Sequence, residues 1–383
     1  MNKIISIISI IILVSCNFSN DPRNNSWKYK AAIESSKNIK NIVYAYSETT
    51  PVVAQIDEDS ADDPAIWINQ NNREKSTIIG TNKVKGLSVY SLEGKLKYTY
   101  PIGKVNNVDI RYNCKFFNSK MDIVACSNRS YNSIDFFKVD TLNGALIKLK
   151  VDNNIVPRDI VNEVYGFCLH KDIITKKLYA FVNSKAGTVV QYHVKEENNN
   201  LHLENVRVIK MSDQTEGMVA DDENSILYVG EEQKGIWKFS TNPKNKMQIF
   251  LKQSAPNQNN IVDDIEGLSI YYTQNGDGYL IASSQGNFSY AVFERKGDNK
   301  YVGSFKINAK EIDAVEETDG IDVVNIPMGD KYPNGFLVVQ DGFNYDKDSL
   351  KSQNFKIIKW EHVATSFTRN LKIDNTYKDW INL

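Results

Sequence analysis

The chain has few of the residues on which many enzyme active sites depend. Its 383 residues include 4 histidines, 4 cysteines and 9 prolines, against 20 tyrosines and 16 phenylalanines. The histidines, at positions 170, 193, 202 and 362, lie apart, and none has the Arg-His-Gly context of a histidine phosphatase. No Gly-x-x-x-x-Gly-Lys-[Ser/Thr] loop and no Gly-x-Ser-x-Gly turn occurs, which excludes that type of nucleotide site and a nucleophile elbow. Metal-activated water is then the most economical route for a hydrolase built from this chain.

The chain also has no excess of charge of either sign. The 46 basic and 47 acidic side chains give a formal net charge of −1. No overall positive field would draw the protein to nucleic acid, so any charged site must be local. Beyond the first 16 residues no segment approaches the 18 apolar residues of a membrane helix.

Residues 1–15 have the form of an export signal. Lys3 precedes an apolar run over 4–14, which ends in Leu13-Val14-Ser15-Cys16. A small residue directly before a cysteine resembles a bacterial lipobox, so we expect Cys16 to carry a lipid. The protein would be exported and anchored to a bacterial membrane, in the periplasm or at the cell surface. A plain secretory signal with an incidental cysteine is the alternative. Residues 16–45, rich in Asn, Ser and Lys, are expected to form a tether containing one short helix around 29–35.

The three remaining cysteines lie in the body of the chain. Cys114 and Cys126 flank a predicted turn at 117–121, and they could face each other across a hairpin, bridged or unbridged. Cys168 sits in an apolar run and is predicted to be a buried thiol.

The pattern from about Thr49 onward is typical of many short antiparallel strands. Apolar or aromatic runs alternate with turn clusters such as Asn143-Gly144, and long amphipathic helices are absent. A glycine followed by an aromatic strand recurs at positions 86, 187, 235 and 286. The last three are about 50 residues apart, the length of one four-stranded propeller blade. We therefore predict an all-β fold, a six-bladed β-propeller of four- to five-stranded antiparallel sheets over 46–383. A two-sheet sandwich or two β domains is the alternative.

Acidic residues collect in the predicted loops. Positions 57–63 alone carry five carboxylates. Hard oxygen ligands on flexible loops suit Ca²⁺ far better than Zn²⁺, although a solvated acidic rim would have the same composition. Lys83, Arg129 and Lys185 are interspersed with these loops. Basic groups beside calcium-binding carboxylates would suit a multiply phosphorylated ligand.

Nine motifs occur in an order that points to one family. They are Asp62-Asp-Pro-Ala-Ile-Trp67, Asn106-Asn-Val-Asp-Ile-Arg-Tyr112, Ser127-Asn-Arg129, Glu163-Val-Tyr-Gly-Phe167, Gln214-Thr-Glu-Gly217, Asp264-Ile-Glu-Gly267, Ser283-Ser-Gln-Gly-Asn287, Thr318-Asp-Gly-Ile-Asp322 and Gln340-Asp-Gly342. From about residue 49 to 365, the chain resembles the β-propeller phytases.

The resemblance implies a calcium-dependent enzyme that releases phosphate from phytate, the hexakisphosphate of myo-inositol. The expected substrate is phytate as its calcium complex, and several Ca²⁺ ions are expected. The protein is expected to be a monomer of the 3-phytase type that binds no nucleic acid and meets a membrane only through the lipid on Cys16. Another calcium-dependent propeller hydrolase, such as a lactonase or phosphodiesterase, and a non-catalytic polyanion-binding lipoprotein stay open as alternatives.

The resemblance also assigns roles to individual residues. The calcium ligands at the cleavage site would be Asp63, Glu216, Glu232, Asp264, Glu266 and Asp319, with Asp62 supporting them. Lys83, Arg129 and Tyr165 would contact the phosphate that is cleaved, and Lys185 would hold its neighbour. Structural calcium loops would contain Asn106, Asn107 and Asp109, and, separately, Asp341 with Asn344.

Two positions depart from the family pattern. Family members often have Lys-Lys where this chain has Lys83-Val84-Lys85, so one cation that holds the neighbouring phosphate is lost or displaced by a residue. They have Gly-Glu-Asn where it has Gly342-Phe343-Asn344. The expected mechanism is a single in-line displacement by water, deprotonated with help from Glu216 and without a phosphoenzyme. Lys83 and Arg129 would stabilise charge on the equatorial oxygens.

Overall fold

A computed structural model describes residues 26–382. Over this range, β-strands form six sheets of four or five strands and one two-stranded hairpin. The export signal, Cys16 and the first part of the expected tether lie outside the described residues.

Six sheets follow one another along the chain, and we call them blades 1 to 6. Blade 1 contains β3 (Ala61–Trp67), β4 (Thr77–Asn82), β5 (Gly86–Ser91) and β6 (Leu96–Pro101). Blade 2 contains β7 (Val105–Phe116), β8 (Ser119–Asn128), β9 (Ser133–Val139) and β10 (Leu146–Lys148). Blade 3 contains β11 (Phe167–Lys171), β12 (Leu178–Asn183), β13 (Thr188–Glu197) and β14 (Asn200–Lys210).

The second half of the chain repeats this arrangement. Blade 4 contains β15 (Thr215–Asp221), β16 (Ile226–Glu231), β17 (Gly235–Ser240) and β18 (Gln248–Phe250). Blade 5 contains β19 (Ile265–Tyr272), β20 (Gly278–Ser284), β21 (Ser289–Glu294), β22 (Tyr301–Asn308) and β1 (Asn41–Tyr44). Blade 6 contains β23 (Ile321–Val324), β24 (Phe336–Asp341), β27 (Asn354–Lys359) and β2 (Ser47–Glu48). The separate hairpin is β25 (Tyr345–Asp346) with β26 (Ser349–Leu350).

In the part of the chain that the structure describes, helices are few and short. The α-helices are α1 (Trp27–Ser36), α2 (Trp360–Ser366) and α3 (Asp379–Asn382). Single turns of 3₁₀ helix occupy Arg73–Lys75, Lys252–Ser254, Gln274–Gly276 and Gln285–Asn287. Within residues 26–382, none of these helices has both the length and the apolar character that crossing a bilayer requires.

The six blades close into a ring. The first strands β3, β7, β11, β15, β19 and β23 each contact the next one, and β23 contacts β3. The predicted all-β, six-bladed propeller is confirmed. The recurring glycines at 86, 187, 235 and 286 each lie at or just before the third strand of a blade. Because they hold the same place in each blade, the spacing between neighbouring ones equals the length of one blade.

The apolar core lies between blades. One cluster joins Phe136 of blade 2 to Phe167 of blade 3, and another joins Phe181 of blade 3 to Leu227 of blade 4. A strand in the middle of a blade is covered on both faces by neighbouring blades. For this reason the middle strands contain runs in which consecutive residues are apolar, as at the start of β12, where positions 178–182 read Leu-Tyr-Ala-Phe-Val.

The N-terminal segment takes part in the ring. β2 pairs antiparallel with β27, and β1 pairs parallel with β22. Residues 27–44, which the sequence analysis placed in the tether, therefore contain a helix and an outer blade strand. Their polar composition suits an outermost position, and the pairing satisfies backbone groups that blades 5 and 6 would otherwise leave as open sheet edges.

The six innermost strands surround a central channel, and α3 closes the end of this channel to which the C-terminal ends of those strands point. Trp380 of α3 stacks on Tyr272 with ring centroids 5.0 Å apart and meets Tyr112 edge-on at 6.0 Å. Ile381 is buried beside them. Tyr112 and Tyr272 lie towards the C-terminal ends of β7 and β19, so the N-terminal ends of these strands remain for the site described below.

The three cysteines of the described chain are free and buried. The turn between β7 and β8 falls inside the predicted segment 117–121 but occupies only Phe117-Asn118, since β8 begins at Ser119. The register pairs Cys114 with Met121 and Cys126 with Val108. The two sulfur-bearing residues are therefore not opposite each other, and the Cys114–Cys126 bridge is not formed. Burial raises the pKa of Cys114 to about 12.

A shared irregularity shapes the start of the innermost strands. The register shifts between Ala61 and Pro64, Val105 and Val108, Thr215 and Met218, and Ile265 and Leu268. Each shift is a β-bulge that inserts one extra residue and re-aims the side chains beside it. The bulges contain Asp62-Asp63, Asn106-Asn107, Glu216-Gly217 and Glu266-Gly267.

Close approach between blades explains the glycines of these bulges. A Cβ on Gly217 would lie 1.7 Å from the carbonyl oxygen of Glu266 in the next blade. A Cβ on Gly267 would lie 2.6 Å from the carbonyl oxygen of Asp319. Neither backbone neighbour can move without separating two blades, so only glycine fits.

We expect Gly217→Ala to lower the free energy of unfolding by about 3 kcal/mol, because the added methyl group collides with backbone. Gly297→Ala is the matched control, since its Cβ would meet nothing within 4 Å and only its φ of +61° is unfavourable. That control should cost about 1 kcal/mol. Urea unfolding of both variants measures the difference, and equal losses would contradict the close-approach argument.

Candidate active site

One side chain from each blade converges at the N-terminal ends of the inner strands. The six residues are Asp62, Asn106, Tyr165, Glu216, Glu266 and Asp319, in blade order. Four of them occupy the bulges, and Tyr165 and Asp319 each stand directly before a glycine at the start of an inner strand. The closed ring brings together residues that are more than 250 positions apart.

Three glutamates form the centre of this cluster. Glu216, Glu232 and Glu266 are all buried, and each offers a carboxylate oxygen within 4.8 Å of the others. Asn106 donates a hydrogen bond of 2.6 Å to Glu216. One oxygen of Glu232 and one of Glu266 have no hydrogen-bond partner within the described chain. Buried oxygens without donors are suited to hold a divalent cation, since Ca²⁺ takes six to eight oxygen ligands.

Burial strongly disfavours the charged forms of these acids. Burial, with the nearby charge of Glu216, raises the pKa of Glu232 to about 7. Burial likewise raises the pKa of Asp319 to about 7, against the lowering effect of Lys83. It also holds the pKa of Asp62 and of Glu266 well above the ordinary range. A cluster of this kind needs protons or a cation to balance it at neutral pH.

Lys83 supplies part of that balance. Its ammonium lies 3.0 Å from Asp319, 3.4 Å from Asp62 and 2.8 Å from Asp59. Burial acts to lower the pKa of Lys83, but the neighbouring carboxylates outweigh burial and hold that pKa well above its usual value. Lys83 therefore stays charged beside the carboxylates.

Two further cations flank Tyr165. The guanidinium carbon of Arg129 lies 5.6 Å from the centre of the Tyr165 ring, and Lys185 Nζ lies 4.4 Å from it. Arg129 also pairs with Glu163 at 3.1 Å. Burial raises the pKa of the Tyr165 hydroxyl, so it remains protonated and able to donate a hydrogen bond.

Asp264 borders the glutamates through the backbone. Its amide donates to the carbonyl of Glu232 at 3.0 Å, and its side chain accepts a hydrogen bond of 2.5 Å from Gln233. The φ of +62° at Asp264 places it in the left-handed region, which a non-glycine residue adopts at some energetic cost. Gln285 of the motif at 283–287 donates to Asp319, a contact that its position in the sequence alone does not indicate.

Asp63 points away from this cluster into the channel. It accepts a hydrogen bond of 3.0 Å from the amide of Val108, and it lines a channel cavity together with Asp109 and Asp322. Burial raises its pKa well above the usual range. The structure thus brings together the expected ligands Glu216, Glu232, Glu266 and Asp319 and places Asp63 beside them on the channel side.

The first expected structural calcium loop is divided between two places. Asn106 turns towards Glu216, and its side chain also bonds Asn107 at 2.9 Å. Asp109 faces the channel, where it accepts hydrogen bonds from Arg111 at 2.9 Å and from the amide of Leu169 at 2.8 Å. Asn107 and Asp109 line one channel cavity, but Arg111 already pairs with Asp109, and Asn106 bonds the glutamate cluster instead.

The second expected loop surrounds a lysine. The fully buried ammonium of Lys356 lies 3.3 Å from Asp341 and 3.1 Å from the side-chain oxygen of Asn344. Glu48 and Asp313 approach the same ammonium to 2.5 Å each. The donor set is of the kind that Ca²⁺ takes, but Lys356 stands among the oxygens and would have to move for an ion to enter. No local spacing in the sequence indicated Glu48 or Asp313.

Phe343, one of the departures from the family pattern, contacts the N-terminal helix. Its ring lies 5.9 Å from that of Tyr29, which also packs against Phe288 at 5.6 Å. The Tyr29 hydroxyl donates a hydrogen bond of 2.7 Å to Glu316. The aromatic residue at 343 therefore helps to seat α1 beside blades 5 and 6.

Comparisons with known proteins identify the family of this chain. The model of the family named Phytase matches residues 11–379. A 3-phytase from Bacillus subtilis (strain 168) is 44% identical over 328 residues, which are 84% of this chain and 84% of that protein. A solved structure of a functionally unknown protein from Desulfotomaculum acetoxidans DSM 771 overlaps 64% of this chain and 72% of its own, with a TM-score of 0.42 and 16% identity. That overlap is too weak to add to the strand pairing described above. On the family match and the extent of its identity to the 3-phytase, the chain belongs to the β-propeller phytase family.

Proposed function

We propose that this protein hydrolyses phosphomonoester bonds of phytate, as an enzyme of the 3-phytase type. The observation that carries the proposal is the convergence of Glu216, Glu232 and Glu266 with Lys83 at one end of the ring, in a chain of the phytase family. Arg129 and Lys185 beside Tyr165 add positive charge next to this carboxylate cluster.

Calcium is the cofactor that the donor set supports. Every nearby ligand atom is an oxygen, and hard oxygen donors in a partly unsatisfied, negatively charged cluster favour Ca²⁺ or Mg²⁺ over softer metals. Glu216, Glu232, Asp264, Glu266 and Asp319 would hold the ions, with Asp62 and Asp63 beside them. When bound, the metal offsets the negative charge of the phosphate and makes water easier to deprotonate.

The chain's own groups would position the phosphate and move the proton. Lys83 and Arg129 would contact the oxygens of the phosphate that is cleaved, where they stabilise the charge of an in-line displacement. The Tyr165 hydroxyl would donate a hydrogen bond to the same group, and Lys185 would hold the neighbouring phosphate. Glu216 would accept the proton of the attacking water, and no covalent phosphoenzyme would form.

Export and lipid attachment complete the proposal. The signal-like residues 1–15 and Cys16 support a protein exported and anchored to a bacterial membrane. The phytate substrate would reach the protein outside the cytoplasm, as its calcium complex.

Removal of divalent cations should abolish phosphate release from phytate. The buried carboxylates would then repel the substrate instead of binding it through a metal. The measurement is inorganic phosphate release in excess EDTA, with recovery on addition of Ca²⁺ as the control. Full turnover of phytate in excess EDTA would refute the metal dependence, while release from ester or lactone substrates alone would point to another hydrolase.

Glu216→Gln should lower kcat for phytate by at least about a hundredfold, because the amide cannot accept the proton of the attacking water. Glutamine keeps the size of the side chain and can still accept the hydrogen bond from Asn106, so circular dichroism should show an intact fold. Glu204→Gln, on the exposed surface of blade 3, is the matched control. Comparable activity in the two variants would remove Glu216 from the proposed role.

A further inference from the structure

A groove beside the carboxylate cluster runs between blades 1 and 2. Its volume is about 540 Å³, and charged side chains of both signs line it. The cations are Lys83, Lys104 and Arg129, and the acids are Glu58, Asp59 and Glu163. Lys83 and Arg129 belong to the proposed cleavage site, so the groove is a continuation of that site.

The backbone holds Lys104 against Arg129. The amide of Arg129 donates a hydrogen bond of 2.7 Å to the carbonyl of Lys104, and the amide of Lys104 donates one of 2.9 Å to Ser130 Oγ. Gly103 makes this possible: its φ is +111°, and a Cβ there would lie 2.7 Å from Ser130 Oγ. The start of the Lys104 side chain is thus fixed at the edge of the groove, although the side chain itself is exposed.

The three cations of this groove differ in their ion pairs. Asp59 pairs with Lys83 at 2.8 Å, and Glu163 pairs with Arg129 at 3.1 Å. Lys104 has no ion pair with any residue of the 26–382 range. The Lys104 ammonium lies next to Lys83 and Arg129, the two cations proposed to contact the cleaved phosphate. It can bind an anion without first breaking an ion pair within the protein.

We propose that Lys104 binds a third phosphate group of the substrate in the groove between blades 1 and 2. The inference rests on the proposed function. Lys185 belongs to blade 3, so a phosphate held there and one held by Lys104 would contact different blades, with the cleaved phosphate at Lys83 and Arg129. The site therefore favours substrates that carry at least three phosphate groups on one ring.

The test compares phytate with an inositol bisphosphate that carries two adjacent phosphates. Lys104→Ala should raise the ratio of the KM for phytate to the KM for the bisphosphate about fivefold, as expected for the loss of one exposed charge contact. Lys104→Arg should restore the ratio of the unaltered protein. Lys115→Ala is the matched control, because Lys115 is an exposed lysine near the opposite end of β7. An unchanged ratio in Lys104→Ala would overturn the proposal.

A second variant asks whether charge is the cause. Val84 lines the same groove, so Val84→Lys in the Lys104→Ala background should bring the ratio back towards its original value. Failure of this rescue, together with failure of Lys104→Arg, would show that charge in the groove does not bind phosphate. The proposed function fails separately, if the unaltered protein with Ca²⁺ releases no phosphate from phytate.

Discussion

Repulsion among buried carboxylates is the constraint around which this structure is arranged. Glu216, Glu232 and Glu266 offer carboxylate oxygens within 4.8 Å of one another at the mouth of the ring. Glu216 and Glu232 belong to blade 4, and Glu266 belongs to blade 5. Such a grouping is unfavourable in the metal-free protein because burial and like charge both oppose ionisation. It persists because packing elsewhere, above all the close contact of blades at Gly217 and Gly267, holds the backbone in place.

Closure of the ring brings the polar residues at the starts of the six inner strands together into one site. Each inner strand begins with a polar residue next to a bulge or a glycine, and by itself such a residue is an ordinary feature of a strand end. Pairing of β2 with β27 completes blade 6, which carries Asp319 next to Lys83 of blade 1. The N-terminal segment therefore supports the site although it contributes none of the proposed ligands.

Much of the fold and of the site could be predicted from the chain alone, and the misses have two causes, strand register and distant partners. Strand patterns and the recurrence of glycine at one blade length depend on neighbours within about 50 residues, so the six blades were predictable. The cysteine pairing depended on register, which the two-residue turn at Phe117-Asn118 sets so that Cys114 lies opposite Met121. Residues 27–44 look like a tether because their partners, blade 5 and Phe343, are hundreds of residues away.

The order of amino acids by itself determined the blade count, the family and the identity of most acids and bases near the site. These properties are encoded in short motifs whose meaning does not depend on distant contacts. Only the tertiary structure decided that Asp63 and Asp109 face the channel, and that Lys356 stands among Glu48, Asp313 and Asp341. It also decided that Lys104 lies beside Arg129 with no ion pair to any residue between positions 26 and 382. Each of these depends on which side chains meet once the strands have paired and the ring has closed. The spacing of residues along the chain does not indicate those contacts.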